Sequence, residues 1–132
     1  METIGIRTGS RVEVVDITGQ VQDVVSKSGA KSGIAVVCTA HTTAGVTINE
    51  NADPDVMADV LDTLERLVPK SGAYSHVEGN SDAHVKTALV GQSVTVPLED
   101  GRLQLGTWQG VYFCEFDGPR QRRVMVQILP SG

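Results

Sequence analysis

A chain of 132 residues with 40 % apolar and 20 % charged residues suits one globular domain, which at this length buries a core without disulfides or a structural metal. Its net charge of −5 argues against nonspecific nucleic-acid binding, which depends on basic patches. No apolar run approaches the length of a membrane span, so no membrane partner is expected.

The first third of the chain predicts strands and one helix. Residues 3–18, TIGIRTGSRVEVVDIT, are rich in β-branched residues and predict two strands broken at Thr8-Gly9-Ser10. A stripe of valines then predicts a short helix, with Thr18 as its N-cap and Gly29 as its stop. The apolar run GIAVVCTA predicts a strand covered on both faces, and AGVTINE predicts another strand.

Two further helices are predicted in the middle of the chain. Asp53 caps the first of them, and Pro54 takes its first helical position. This helix carries one apolar stripe, formed by Val56, Val60, Leu61, Leu64, Leu67 and Val68. Ser81 is the expected N-cap of the second helix and Gly91 its stop. Its expected apolar face consists of Val85, Ala88 and Leu89, with His84 near the edge.

The last third predicts a series of strands. The dipeptides Asp100-Gly101 and Asp117-Gly118 are typical of hairpin turns. The whole order is strands, helix, strands, two helices, strands. It predicts a single α+β domain over residues 1–132, with mainly antiparallel β-sheets in a sandwich-like arrangement and two or three helices packed on one side.

The cellular location is predicted from the start of the chain and from its cysteines. The segment METIGIRTGS has no apolar stretch of the kind found in signal peptides. Cys38 and Cys114 lie in apolar, strand-like runs, which is typical of buried free thiols in a reducing compartment. We therefore expect a cytoplasmic protein.

All three histidines lie in polar segments. His76 and His84 belong to YSHVEGNSDAH, close to Glu78 and Asp82, and His41 follows the buried strand. Imidazole binds metals and transfers protons near neutral pH, and neighbouring carboxylates bind a metal or orient a ring. This pattern predicts a shared metal or catalytic site, and single solvated histidines are the alternative.

Other polar residues suggest a phosphorylated ligand. DGPRQRR places Arg120, Arg122 and Arg123 together, and guanidinium groups suit phosphate capture, although a solvated charged strand edge is the alternative. Asn49 and Asn80 are typical turn residues and are kept as candidate substrate contacts. The single tryptophan, Trp108, is typical of a core or interface anchor, and Gln109 beside it is a candidate pocket donor.

Several stretches together resemble the YjbQ family, also called UPF0047. The resemblance rests on AHTTAGVTINENAD and on the long segment from YSHVEGNSDAHVK through LGTWQG to DGPRQRRV, and it covers nearly the whole chain. It implies a compact α+β domain assembled as a homotrimer, and a secondary thiamine-phosphate synthase activity. That reaction joins hydroxymethylpyrimidine diphosphate to thiazole phosphate and releases pyrophosphate.

The resemblance also implies functional residues and a divalent metal ion, zinc or magnesium. The implied metal ligands are His41, His76 and His84. The implied catalytic residues are Glu50, His84, Lys86, Arg120 and Arg123, and the implied substrate-binding residues are Trp108 and Gln109, to which we add Asn49 and Asn80 as candidates. Two alternatives stay open: a metal-dependent hydrolase of unknown substrate, and a non-enzymatic trimer that binds a metal or ligand.

Overall fold

The computed structural model describes residues 1–131. Its elements follow the predicted order. The strands are β1 (Glu2–Arg7), β2 (Glu13–Asp16), β3 (Gly33–Cys38), β4 (Ala44–Glu50), β5 (Ser93–Glu99), β6 (Arg102–Leu103), β7 (Gln109–Glu115) and β8 (Gln121–Pro130). The helices are α1 (Thr18–Ser28), α2 (Pro54–Leu67) and α3 (Ser81–Val90).

The strands form two antiparallel sheets. The larger has the order β1-β8-β3-β5-β6, and the smaller has the order β2-β7-β4. The main apolar cluster draws Val37 and Val126 from the larger sheet, Val46 and Phe113 from the smaller one, and Val21 from α1. The predicted α+β class with antiparallel sheets is confirmed. Within residues 1–131 no helix is long and apolar enough to cross a membrane.

Helices α2 and α3 pack on the side of the smaller sheet that faces away from this cluster. Successive residues of a strand point to opposite faces, so Phe113 joins the main cluster while Cys114 packs with Ala83 of α3. Leu61 and Leu64 of α2 border the same small cluster. Burial raises the pKa of Cys114 to about 12, as expected for an unreactive buried thiol.

Several predicted boundaries are confirmed by their backbone geometry. The side chain of Asp53 accepts a hydrogen bond of 2.9 Å from the amide of Asp55, and Pro54 is the first residue of α2. Gly29 ends α1 with a φ of 73°. Asp100 and Gly101 join β5 to β6 as a two-residue hairpin with φ values of 53° and 74°, as a type I′ turn requires.

Other boundary predictions are wrong. Thr18 and Ser81 are the first helical residues, and Ile17 and Asn80 occupy the N-cap positions. The hydroxyl of Thr18 instead accepts a hydrogen bond of 2.9 Å from the amide of Val111 in β7. This long-range contact replaces the local cap.

The predicted hairpin at Asp117-Gly118 is also wrong. This turn follows β7, which belongs to the smaller sheet, and leads to β8, which pairs with β1 and β3 in the larger one. The segment therefore carries the chain from one sheet to the other. A side chain at position 118 would meet the carbonyl oxygen of Ser10 at 2.4 Å, so the crossing needs glycine there.

The predicted apolar face of α3 is wrong. Val85 is 41 % exposed and Leu89 is 63 % exposed. The buried residues of this helix are Asp82, Ala83, Lys86 and Thr87. The apolar stripe of α2 is mostly half-buried, and its Leu67 is 72 % exposed. Both helices thus leave apolar side chains at the surface of a single chain.

Candidate functional site

The pairing of β4 with β7 divides the predicted site residues into two groups. Ala44 lies opposite Glu115, and Glu50 lies opposite Gln109. These two pairs stand at opposite ends of β7, about 20 Å apart at about 3.3 Å per residue. We call the end at Glu115, from which the chain continues to β8, the arginine end. The end at Glu50 and Gln109 is the tryptophan end.

A buried ion pair forms the base of the arginine end. Arg122 is 2 % exposed and Glu115 is fully buried. The Arg122 Nε donates to Glu115 Oε1 over 2.9 Å, and its Nη2 donates to Glu115 Oε2 and, over 2.9 Å, to the hydroxyl of Thr43. The hydroxyl of Thr8 donates to Glu115 Oε1 over 2.7 Å. The pair thus hydrogen-bonds to two further segments of the chain, at Thr8 and at Thr43.

The charge state of Glu115 follows from these contacts. Burial by itself would raise the pKa of Glu115. Hydrogen bonds from Arg122 and Thr8, and one from the amide of Asp117, outweigh burial and lower that pKa below its usual value. Glu115 is therefore ionised at neutral pH. A lone carboxylate within the apolar run VYFCEF was the signal in the sequence for a buried charge.

Arg120 lies at the surface of the same end. Its Nε donates to the carbonyl of Asp117 over 2.9 Å, and its Nη2 lies 3.1 Å from Asp117 Oδ2. Asn80, at the start of α3, donates to the same Asp117 oxygen over 2.9 Å. Because the amide nitrogen of Asn80 donates there, its oxygen is the acceptor for His76 Nε2, 3.0 Å away. A polar chain thus connects Arg120 to His76 through Asp117 and Asn80.

His76 and His84 lie side by side. Their ring centroids are 5.4 Å apart and their planes meet at 79°. Glu78 Oε2 is 3.8 Å from His76 Nε2. A cleft of about 350 Å³ is lined by Tyr74, Ser75, His76, Ser81, His84 and Val85. Because Asn80 holds the proton of the neutral His76 on Nε2, its Nδ1 keeps a lone pair for a proton or a metal.

His41 lines a different cavity, together with Arg123. Its Nε2 accepts a hydrogen bond of 3.0 Å from the backbone amide of Arg123. Burial is the main cause that lowers the pKa of His41 below its usual value, followed by the charge of Arg122. Glu115 opposes this shift, whereas Arg123 and Arg120 add to it. His41 is therefore neutral at pH 7, with its proton on Nδ1.

Lys86 lies inside the protein. It is fully buried, and its Nζ donates to Glu65 Oε1 over 2.6 Å and to Asp82 Oδ2 over 2.8 Å. Arg11 completes the cluster, 3.2 Å from Glu65 and 3.3 Å from Asp82. The ammonium group of Lys86 therefore connects α3 to α2 through these ion pairs, and it is buried away from the surface clefts where a substrate would bind. In the sequence, the ion pair between these two residues is indicated by the i, i+4 spacing of Asp82 and Lys86.

The tryptophan end holds the remaining predicted residues. Trp108 is 62 % exposed, and its carbonyl accepts from the amide of Asn51 over 2.8 Å. Gln109 Oε1 accepts from the amide of Gly106 over 2.7 Å. Asn49 Oδ1 accepts from the amide of Glu50 over 2.8 Å. The side-chain oxygen of Gln109 therefore shapes a local turn at this end, and that of Asn49 contacts the next amide within β4.

The fold places seven of the predicted site residues on one side of the molecule and the other four away from them. The arginine end with the adjoining helix α3 holds His41, His76, Asn80, His84, Lys86, Arg120 and Arg123. The tryptophan end holds Asn49, Glu50, Trp108 and Gln109. Among residues 1–131, no three His, Cys, Asp or Glu side chains form a group that could hold a metal ion.

The fold and the site define a class of small two-sheet α+β domain with an arginine and histidine cluster at one end. The model of the family described as UPF0047 protein YjbQ-like matches residues 2–131. The chain belongs to the YjbQ/UPF0047 family.

Similar proteins come from bacteria and archaea. The UPF0047 protein of Methanocaldococcus jannaschii is 53 % identical over 124 residues, which cover 94 % of this chain and 90 % of that protein. The UPF0047 protein YugU of Bacillus subtilis is 48 % identical over 130 residues, 98 % of each.

Solved structures show the same fold. A crystal structure of a YjbQ/UPF0047 family protein from Clostridium acetobutylicum has a TM-score of 0.96 at 52 % identity, covering 98 % of this chain and 100 % of that one. A YbjQ-like protein of unknown function from Sulfolobus solfataricus has a TM-score of 0.94 at 35 % identity, covering 98 % and 96 %. The arrangement of strands and helices is therefore shared with these two proteins.

Proposed function

We propose that this protein is a transferase with thiamine-phosphate synthase activity, which joins hydroxymethylpyrimidine diphosphate to thiazole phosphate and releases pyrophosphate. The main support is the arginine end, where the exposed guanidinium groups of Arg120 and Arg123 accompany histidines in a protein whose net charge is −5. A local concentration of positive charge favours an anionic ligand, and the net charge of −5 argues against nucleic acid.

The chemistry of this reaction needs such charges. The bond between the pyrimidine methylene carbon and the diphosphate oxygen breaks, and its electron pair leaves with pyrophosphate. The lone pair of the thiazole nitrogen forms the new C–N bond. Guanidinium groups stabilise the charge that develops on the leaving oxygen through directed N–H donors. We assign this role to Arg120, with His84 and His76 lining the adjoining cleft.

A divalent cation is part of this proposal. In the described part of the chain the neighbouring imidazoles of His76 and His84 are fewer than the three or four protein ligands of a zinc site. Magnesium needs fewer protein ligands, because substrate phosphates supply several of its oxygens. When bound with the diphosphate, such an ion would neutralise part of its charge. His41 is not assigned to this cation, because the Nε2 atom of His41 already accepts a hydrogen bond from the backbone amide of Arg123.

A homotrimer is the second part of the proposal. Glu50, Trp108 and Gln109 are too distant from the arginine end to act there in the same chain. A head-to-tail contact between copies would bring the tryptophan end of one copy to the arginine end of the next, and such contacts form a ring of three when each copy is rotated by a third of a turn. The exposed apolar residues Leu67 and Leu89 offer surface for this contact.

The assembly is tested by mass. We expect sedimentation equilibrium or light scattering on the purified chain to give three times the chain mass of 14.0 kDa. The exposed Leu89→Glu variant should shift the population towards monomer, because it places a charge in an apolar contact. A wild-type protein that stays monomeric at micromolar concentration would contradict the trimer.

We also place the protein in the cytoplasm, since Cys38 and Cys114 are free thiols.

The activity is tested by product formation. Purified protein with both precursors and Mg²⁺ should form thiamine phosphate, measured by chromatography after oxidation to a fluorescent thiochrome. Arg120→Ala should lower kcat by about 10²-fold, the usual cost of removing one charge-stabilising donor, and His84→Ala, which changes the lining of the adjoining cleft, should also lower it. Arg102→Ala, an exposed arginine on β6, is the matched control and should keep the wild-type rate.

Two results would point elsewhere. Turnover of generic phosphate esters without thiamine phosphate would favour the metal-dependent hydrolase, for which the adjacent rings of His76 and His84 are the supporting observation. Bound metal without any turnover would favour a non-enzymatic binding protein.

A further inference from the structure

A small cavity lies where β3 ends beside the first residues of β1 and β8. Its volume is about 260 Å³, slightly below the range of pockets that hold drug-sized ligands. It is lined by Met1, Thr3, Ala40, His41, Arg123 and Met125. This lining includes a guanidinium, an imidazole and a hydroxyl, and it includes no carboxylate.

The hydrogen bond between His41 and the backbone defines what the ring offers to a ligand. The amide of Arg123 donates to Nε2 over 3.0 Å, so Nε2 is occupied as an acceptor. A neutral imidazole then carries its proton on Nδ1, which leaves one N–H donor and no free acceptor. A ring in this state suits an anion and is a poor ligand for a cation.

The charges around the cavity are unequal. Arg122 is buried in its ion pair with Glu115, and Arg120 does not belong to the lining of this cavity. Arg123 makes no ion pair with any carboxylate of residues 1–131, and its side chain is exposed. The positive charge of Arg123 is therefore available to a ligand in this cavity, beside the amino group of Met1, and guanidinium groups bind phosphate through paired N–H donors.

We propose that Arg123 and His41 form a subsite for a single phosphate group, separate from the cleft of His76 and His84. The inference rests on the proposed function, in which the thiazole substrate carries one phosphate and the pyrimidine substrate carries two. In this proposal the small cavity binds the single phosphate of the thiazole substrate, and Arg120 binds the diphosphate of the pyrimidine substrate. Arg123 is then a substrate-binding residue, and His41 supplies a donor to the same group.

Binding of inorganic phosphate to the full-length protein tests this subsite without turnover. Isothermal titration calorimetry, or ³¹P nuclear magnetic resonance, should show binding that weakens at least about tenfold in Arg123→Ala, as expected when a charged hydrogen bond is lost. Arg123→Gln should behave in the same way, and His41→Leu should weaken binding less. Arg102→Ala and Arg66→Ala are exposed control variants and should bind phosphate like the wild type.

Urea denaturation of each variant shows whether it is folded, so that a loss of binding is not mistaken for unfolding. Wild-type affinity in both Arg123 variants would overturn the subsite, and so would an absence of phosphate binding by the wild type. The test is distinct from the activity assay. Phosphate binding that depends on Arg123, in a protein that forms no thiamine phosphate, would contradict the proposed reaction and leave the subsite in place.

Discussion

Arg122→Ala is expected to lower the free energy of unfolding by about 3–5 kcal/mol, which is a large part of the roughly 5–15 kcal/mol that stabilises a domain. The variant leaves Glu115 ionised, fully buried and without its cation. It also removes the donor that satisfies the Thr43 hydroxyl. Urea denaturation followed by circular dichroism at pH 7 measures the loss.

Two further variants separate this explanation from a general effect of losing an arginine. Arg102→Ala removes an exposed arginine and should change stability by less than about 0.5 kcal/mol. The double variant Arg122→Met with Glu115→Leu removes both charges and should recover most of the loss, because well-packed apolar residues often replace a buried ion pair without cost. A double variant no more stable than Arg122→Ala would refute the buried-charge explanation.

Lys86→Met is expected to lower stability by about 3 kcal/mol at pH 7, at the lower end for breaking a buried ion pair. The lower value is expected because Arg11 stays 3.3 Å from Asp82 and partly compensates it. The variant also removes the 2.6 Å contact that connects α3 to Glu65 of α2. Lys70→Met, at an exposed position just after α2, is the matched control and should be close to neutral.

The pH dependence of this loss follows from Asp82. Burial by itself would raise the pKa of Asp82, but hydrogen bonds and charge from Lys86, followed by Arg11, lower it below its usual value. A carboxyl group whose pKa is lower in the folded state stabilises the protein above its unfolded pKa of about 3.9, and this contribution is lost as the pH falls through the folded value.

The difference between wild type and Lys86→Met should therefore be largest near pH 7. It should start to shrink below about pH 4 and continue to shrink as the pH falls towards the lowered folded pKa of Asp82, below which the wild type loses the ion pair as well. Urea denaturation at pH 7 and at pH 3 measures both values. An unchanged difference at pH 3 would show that Lys86 stabilises the protein by packing its side chain, and not through the charge of Asp82.

Predictions from the sequence were reliable where the residues that determine a backbone conformation lie close together in the chain. The cap at Asp53, the stop at Gly29 and the hairpin at Asp100-Gly101 all depend on residues within a few positions of one another. Their conformations follow from side-chain acceptors and from glycine's access to positive φ. The class of fold followed from the order of these elements.

Predictions from the sequence failed where a charged residue pairs with a residue that is distant in the chain. Lys86 lies on the buried face of α3 because Glu65 and Asp82 neutralise it, whereas Val85 and Leu89 stay exposed. A pattern that counts only apolar residues assigns the opposite face to the interior. For the same reason Arg122, which contacts Thr43 across 79 residues of sequence, is a buried structural residue and not a surface phosphate contact.

By itself, the sequence determined the α+β class, most element boundaries, and the residues from which a site could be built, because these depend on local propensity and on motifs in fixed order. Only the tertiary structure decided which of those residues meet. The register of β4 against β7 places Glu50 and Gln109 about 20 Å from Glu115 at the arginine end, and strand pairing over such distances is set by long-range packing that no short stretch of sequence encodes.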